Sequence, residues 1–221
     1  METIEEAQSA ISKELAGDDA EVRREFEARF GNEIRGFAGV MAVAFVNWRS
    51  LDSEVKDNER LAYVSAWVYT ALNVHVNSMK LLIAGHQVAA GNLFRQVVET
   101  MALAIVSSSK DLNVLDRFIK GQYSTNDAIH DAKRHATKLG INKDAIDSLG
   151  QAQEFYHQYS HPSIFTISAA MSFAEKALYV GAAFDEGKMG AYAKEVNSRL
   201  SCAEMFSNFI DGVKMNVAGW R

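Results

Sequence analysis

Two charged residues interrupt an otherwise apolar stretch. Arg95 and Glu99 lie four apart among Leu93, Phe94, Val97, Val98, Met101, Leu103 and Ile105. At that spacing they share one face of a helix. Burying either charge is costly unless it is paired and hydrogen-bonded. An internal ion pair that fixes helix register meets that demand and is the plainer reading. The functional reading is a guanidinium that binds an anion, with a carboxylate that orients it or acts as base.

The second candidate is the run Tyr156-His157-Gln158-Tyr159-Ser160-His161-Pro162-Ser163, which holds the only proline of the chain. A residue before proline is pushed out of the helical region, so His161 is placed at a helix exit. The last helix carbonyls there favour a cationic imidazole. His161 can cap the helix and bond the next loop. It can equally act as general acid or base with Tyr156 or Ser160 beside it. Ligand contacts are expected from Arg95, Tyr156, Ser160 and Ser163, and catalytic roles, if any, from His161, Arg95 and Glu99.

Metal chemistry is a third reading of these residues. Glu154, His157 and His161 begin a Glu-x-x-His pattern, with Asp127 and His130 as a second pair and Glu99 as a further carboxylate. One acid is Asp and the helix order differs from that of di-iron bundles, so neither a metal nor a cofactor is expected. His75 and His86 read as core or surface histidines. His130 and His135, five apart, share a helix face poorly. No Gly-rich phosphate loop, nucleophile elbow or His-Glu-x-x-His is present. Cys202 reads as a small core residue. Trp48, Trp67 and Trp220 are scattered along the chain.

The sequence around these residues reads as helical. The chain has 221 residues, 48% of them hydrophobic, one Pro and one Cys. That length buries a core without staples. One cysteine excludes an intramolecular disulfide and fits a reducing compartment, hence a cytoplasmic location. The net charge is −5 with no basic run, so duplex DNA is not an expected partner. The acidic start, Met1 to Glu6, lacks the pattern of a signal peptide. Leu61 to Met79 is free of charge but contains Ser65, Thr70, Asn73, His75, Asn77 and Ser78, too polar to span a membrane.

Thr3 with Glu6 predicts a capping box and a short helix ending near Gly17; Asp18 with Glu21 predicts another. Apolar residues from Val22 through Phe26, Phe30, Ile34, Phe37 and Met41 to Trp48 predict one long helix of ~45 Å. Gly31, Gly36 and Gly39 weaken it or let another helix approach. Asp52 to Asn58 reads as a loop. Helices are then expected over 59–83, 86–108, 112–120, 124–139 and 143–159, broken at Gly85, Gly121 and Gly140. Residues 163–188 read as an irregular excursion with one short helix and an extended Leu178-Tyr179-Val180-Gly181. Met189, Tyr192, Ala193, Val196, Leu200, Ala203, Phe206, Ile210, Val213 and Val217 mark the last helix. The expected fold is a single all-α domain over 1–221, an antiparallel helical bundle around a central long hairpin. Its parts are N-terminal helices (1–51), a central bundle (59–159), the excursion (163–188) and a C-terminal helix (189–217).

The run from Gly85 to Glu99 resembles a helix in several bacterial all-helical families of unknown function, where Gly and small residues precede Leu-x-Arg-x-x-x-Glu. Those families also carry a later Tyr, a Ser and a His-Pro-Ser turn, matched by Tyr156, Ser160, His161, Pro162 and Ser163. They look like distant relatives of the HEPN bundles, many of which are RNA-cleaving toxins or defence proteins. The resemblance implies a homodimer with its site at the dimer cleft. HEPN nucleases place an Arg four to six residues before a His on a late helix. None stands so before His157 or His161, and Arg134 directly precedes His135.

Arg95, Glu99, Tyr156, Ser160 and His161 are therefore expected to converge beneath the excursion. The leading function is a non-catalytic helical module, dimeric or partner-binding, whose polar cluster is structural or binds a small anionic ligand. The alternative is a HEPN-like metal-independent ribonuclease. There His161 takes the proton of a ribose 2′-hydroxyl and Arg95 stabilises the phosphorane.

Overall fold

The computed structural model describes residues 3–55 and 57–220. Met1 and Glu2 of the acidic start, Lys56 of the expected 52–58 loop, and Arg221 lie outside the described residues. Among those described, the chain forms nine α-helices: α1 (Ile4–Ala16), α2 (Ala20–Val55), α3 (Glu59–Ile83), α4 (Gln87–Ser107), α5 (Val114–Ile119), α6 (Asp127–Arg134), α7 (Lys143–His157), α8 (Ile164–Ala170) and α9 (Met189–Ala218). The only β pairing among them is one bridge, Met171 to Leu178. None of the described helices is long and apolar enough to cross a membrane.

The Thr3–Glu6 capping box forms as expected and opens α1. The Asp18–Glu21 box does not. Asp19 takes a left-handed φ of 55°, α2 begins at Ala20, and the Asp18 carboxylate accepts the Ala20 N–H instead. The helix bends at Phe30 (φ −126°), next to Gly31, a residue that tolerates such a break. It then runs past the expected stop, through Asp52 and Glu54 to Val55. Leu51 and Val55 are buried and continue the apolar stripe. Asp52 is accommodated because its carboxylate accepts the Ser65 hydroxyl at 2.7 Å. Ser65 in turn accepts the Trp48 indole N–H at 3.0 Å.

The α3–α4 hairpin lies at the centre, turning at Gly85 (φ 87°). α2 runs antiparallel to α3, placing Trp48 against Ser65 and Phe37 against His75. α9 lies parallel to α2, with Phe26 meeting Tyr192 near one end and Asn47 meeting Ser207 farther along. Gly36 faces Leu200 of α9, so the small residue lies against a neighbouring helix. α6 and α7 cover the other side of α4. Gly91 of α4 lies under the Tyr159 ring, where a Cβ would sit 2.5 Å from a ring carbon.

Two expected helices are shorter. The helix expected over 112–120 reduces to α5, preceded by a 3₁₀ turn, Lys110–Leu112, and by Asn113 in a left-handed conformation (φ 51°). The 124–139 helix reduces to α6, followed by turns that end at Gly140 (φ 64°). The excursion contains α8, opened by a Ser163–Thr166 capping box. Its return is tied by Asp185, whose carboxylate accepts the N–H groups of Phe173, Ala174 and Gly187. The excursion begins against α4 and α7, with Phe165 on Phe155 and Tyr159. It crosses the Gly85 end of the bundle, where Phe184 packs on Phe26 and Tyr192 and Ala182 N–H reaches Glu14. That path brings the chain back to the end from which α9 can run parallel to α2.

Candidate functional site

Two polar systems lie on different sides of α4. On the outer face the Arg95 Nε donates to Glu99 Oε1 at 2.8 Å. Gln153 donates to the same oxygen at 3.0 Å. Arg95 Nη1 reaches the Ser160 hydroxyl at 3.1 Å, and Ser160 donates to Asn92 at 2.7 Å. The four-residue spacing thus forms a real pair, roofed by α7. Beside it is a shallow hollow of about 330 Å³ lined by Arg95, Asn126, Gln153, Glu154 and His157.

The other expected members are elsewhere. The exposed His161 ring packs edge-on against His157, with centroids 4.5 Å apart, and makes no hydrogen bond among the described residues. Ser163 caps α8 and donates to the Gln158 carbonyl. Tyr156 turns to the opposite side of α7. No three of Glu99, Asp127, His130, Glu154, His157 and His161 bring donor atoms together among the described residues.

The second system is buried, and sequence reasoning missed its centre. Arg199 of α9 is 0% exposed, the largest fully enclosed side chain among the described residues. Its Nε donates to Ser78 at 2.8 Å, and its Nη1 donates to the Glu195 carboxylate at 2.6 Å. Its Nη2 has no hydrogen-bond partner. The guanidinium carbon stands 4.9 Å from the Phe94 ring centroid, where a cation–π contact offsets part of that deficit. Tyr156 and Tyr159 both donate to Glu195, at 3.0 and 3.3 Å. Burial first, then the Glu195 charge, pushes both phenols well above the ordinary tyrosine range. His75 Nε2–H donates to the Arg199 carbonyl at 2.9 Å, which leaves Nδ1 bare and unpartnered. Burial lowers the His75 imidazole to about 3.

A signal for this network was present. Val196, Arg199, Ala203 and Phe206 are spaced three or four apart, so Arg199 occupies an apolar-stripe position, with Glu195 one turn before it. Arg199 is buried, whereas Leu200, expected on the stripe, is only partly so.

An apolar cleft of about 710 Å³ opens between α4, α7 and α9 in front of the network. Phe94 and Val98 form its floor. Leu149, Ala152, Phe155 and Tyr156 form one wall; Ala193, Ser198, Cys202 and Met205 form the other. A narrower groove of about 390 Å³ continues along the same helices past Met101 and Ile105, sharing Leu149 and Met205. Burial raises the Cys202 thiol to about 12, so it stands in the wall as a neutral group. The fold is an all-α bundle whose apolar cleft between α4, α7 and α9 is backed by a buried charged network. No protein-family model, curated protein or solved structure matches the chain.

Proposed function

We propose that the protein is a non-catalytic ligand-binding module and that its site is the cleft between α4, α7 and α9. One observation carries this reading: the recess, about 710 Å³, exposes mostly apolar surface, with polar side chains such as Lys194, Glu195, Asn197 and Ser198 among its lining. Recesses of that size and lining suit compact, largely apolar molecules held in orientation by a few hydrogen bonds. Tyr156, Glu195 and Ser198 are the groups that orient the ligand. Neither Tyr156 nor Cys202 stands in the cleft as an activated nucleophile. Tyr156 is kept protonated by burial and the Glu195 charge, and Cys202 is kept neutral by burial. The Arg95 hollow suits an anion less well, because Glu99 already holds the guanidinium and Glu154 adds a second carboxylate.

The test uses 1-anilinonaphthalene-8-sulfonate as an apolar aromatic probe and protein labelled with ¹³C at its methionine methyls. The expected result is saturable one-site binding that moves the Met205 methyl signal and leaves that of Met41, buried in α2, in place. Ala152→Trp fills the recess and should weaken binding at least tenfold without altering the far-UV spectrum. Equal binding by the filled variant, or shifts confined to other methyls, would overturn the proposal.

A further inference from the structure

We propose that Glu14, Asp19 and His86 form a binding site for a divalent cation of the zinc class, which clamps α1 onto the α3–α4 turn. One ligand atom from each lies within 4.8 Å of the others. The three come from separate segments: the last turn of α1, the α1–α2 link, and the residue that caps α4. His86 Nε2 and Asp19 Oδ2 are 3.1 Å apart. Tetrahedral ligands about 2.0–2.1 Å from a zinc ion stand ~3.4 Å from one another, so small side-chain rotations complete the geometry.

Each donor is held by its surroundings. Glu14 Oε1 accepts the Ala182 N–H at 2.9 Å, which fixes the carboxylate and leaves Oε2 for a cation. The carboxylate occupies the space where a Cβ on Gly181 would stand. His86 follows the left-handed Gly85, and its N–H is bonded to the Leu81 carbonyl. Asp19 is itself left-handed, and its carbonyl accepts the Arg23 N–H.

Charge favours an occupant. An imidazolium balances one of two neighbouring carboxylates at most, whereas a divalent cation balances both. Lys13 and Arg24 line the adjoining hollow, but neither forms an ion pair with Glu14 or Asp19. That hollow, about 570 Å³, supplies an entry path and room for water ligands. One nitrogen and two oxygen donors suit zinc, cobalt or manganese; magnesium and calcium prefer all-oxygen sites. The clamp also has something to hold. None of the thirteen residues of α1 is buried, so its end contact at Glu14 decides where the helix sits.

The test titrates chelator-stripped full-length protein with Co²⁺, reading visible absorption, and with Zn²⁺ by calorimetry. Hydrogen exchange is then followed over residues 4–16 with and without Zn²⁺. One equivalent of metal, a cobalt band displaced by Zn²⁺ but not by millimolar Mg²⁺, and slower exchange in α1 are expected. His86→Gln and Asp19→Asn should each weaken binding at least tenfold, with metal-free melting curves confirming that both fold. Absence of one-equivalent binding by the wild type overturns the proposal, as does binding untouched by both substitutions or equal displacement by Mg²⁺.

Discussion

Arg199 and Glu195 meet at 2.6 Å, one turn apart on α9, with the guanidinium wholly shut off from solvent. Among the described residues the carboxylate is the one anionic partner of a cation enclosed by Phe94, Tyr156 and Ser78. Removing one member of such a pair leaves an uncompensated charge, a change that destabilises by about 3–5 kcal/mol. Glu195→Gln should therefore lower the melting temperature by roughly 6–20 °C at this chain length. Adding Arg199→Met should restore most of the loss. A single variant that melts like wild type would show that the pair does not hold the core.

The Arg95–Glu99 pair should behave differently. Its side chains keep 19% and 17% of their exposure, and Glu99 retains Gln153 as donor when the arginine is gone. Arg95→Ala should cost about 1 kcal/mol, in the range of solvent-screened pairs. Urea unfolding of this variant beside Glu195→Gln reads the contrast directly. Equal losses would contradict it.

His75 gives the fold an acid-sensitive component. Its folded form stays neutral down to about pH 3, while the unfolded chain takes up a proton near the ordinary value of 6.5. The unfolded state binds more protons between those limits, so stability falls as pH drops through that window. The slope reaches ~1.4 kcal/mol per pH unit for one such group. Stability measured in urea at pH 7 and pH 5 should fall less in His75→Gln than in wild type. An identical fall would remove His75 as the cause.

Leu51 lies in the last turns of α2 and is fully buried. Leu51→Ala should cost about 2–5 kcal/mol through lost burial and the cavity left behind. Val43, on the same helix but 55% exposed, serves as the control. Its change to Ala should stay within about 0.5 kcal/mol. Matching effects at the two positions would mean that the end of α2 does not pack as described.

Much of the fold was legible because local chemistry marked it. α3 begins at the Asn58 cap and α4 follows the Gly85 turn, so the hairpin could be read from the residues themselves. The end of α2 could not. Asp52 and Glu54 look like loop residues, and only the distant Ser65 hydroxyl shows why Asp52 is tolerated. The Arg95–Glu99 pair was visible because a four-residue spacing is a local fact. The direction of Tyr156 was not, since it depends on which neighbour crosses α7. Arg199 was overlooked because a long cation in a stripe reads as solvent-exposed until the aromatic and acidic groups from other helices are placed around it.

The pairing of α2 with α9 also bears on how the chain is made. Asn47 and Ser207 touch across 160 residues of sequence. At ~5–20 residues per second, synthesis leaves the apolar stripe of α2 without that partner for on the order of 10–30 s. Phe26 spends that interval without Tyr192 of α9, which packs on it in the finished bundle. The nascent protein is thus exposed to aggregation until α9 emerges, and chaperone supply during translation should govern its yield more than the stability of the completed fold.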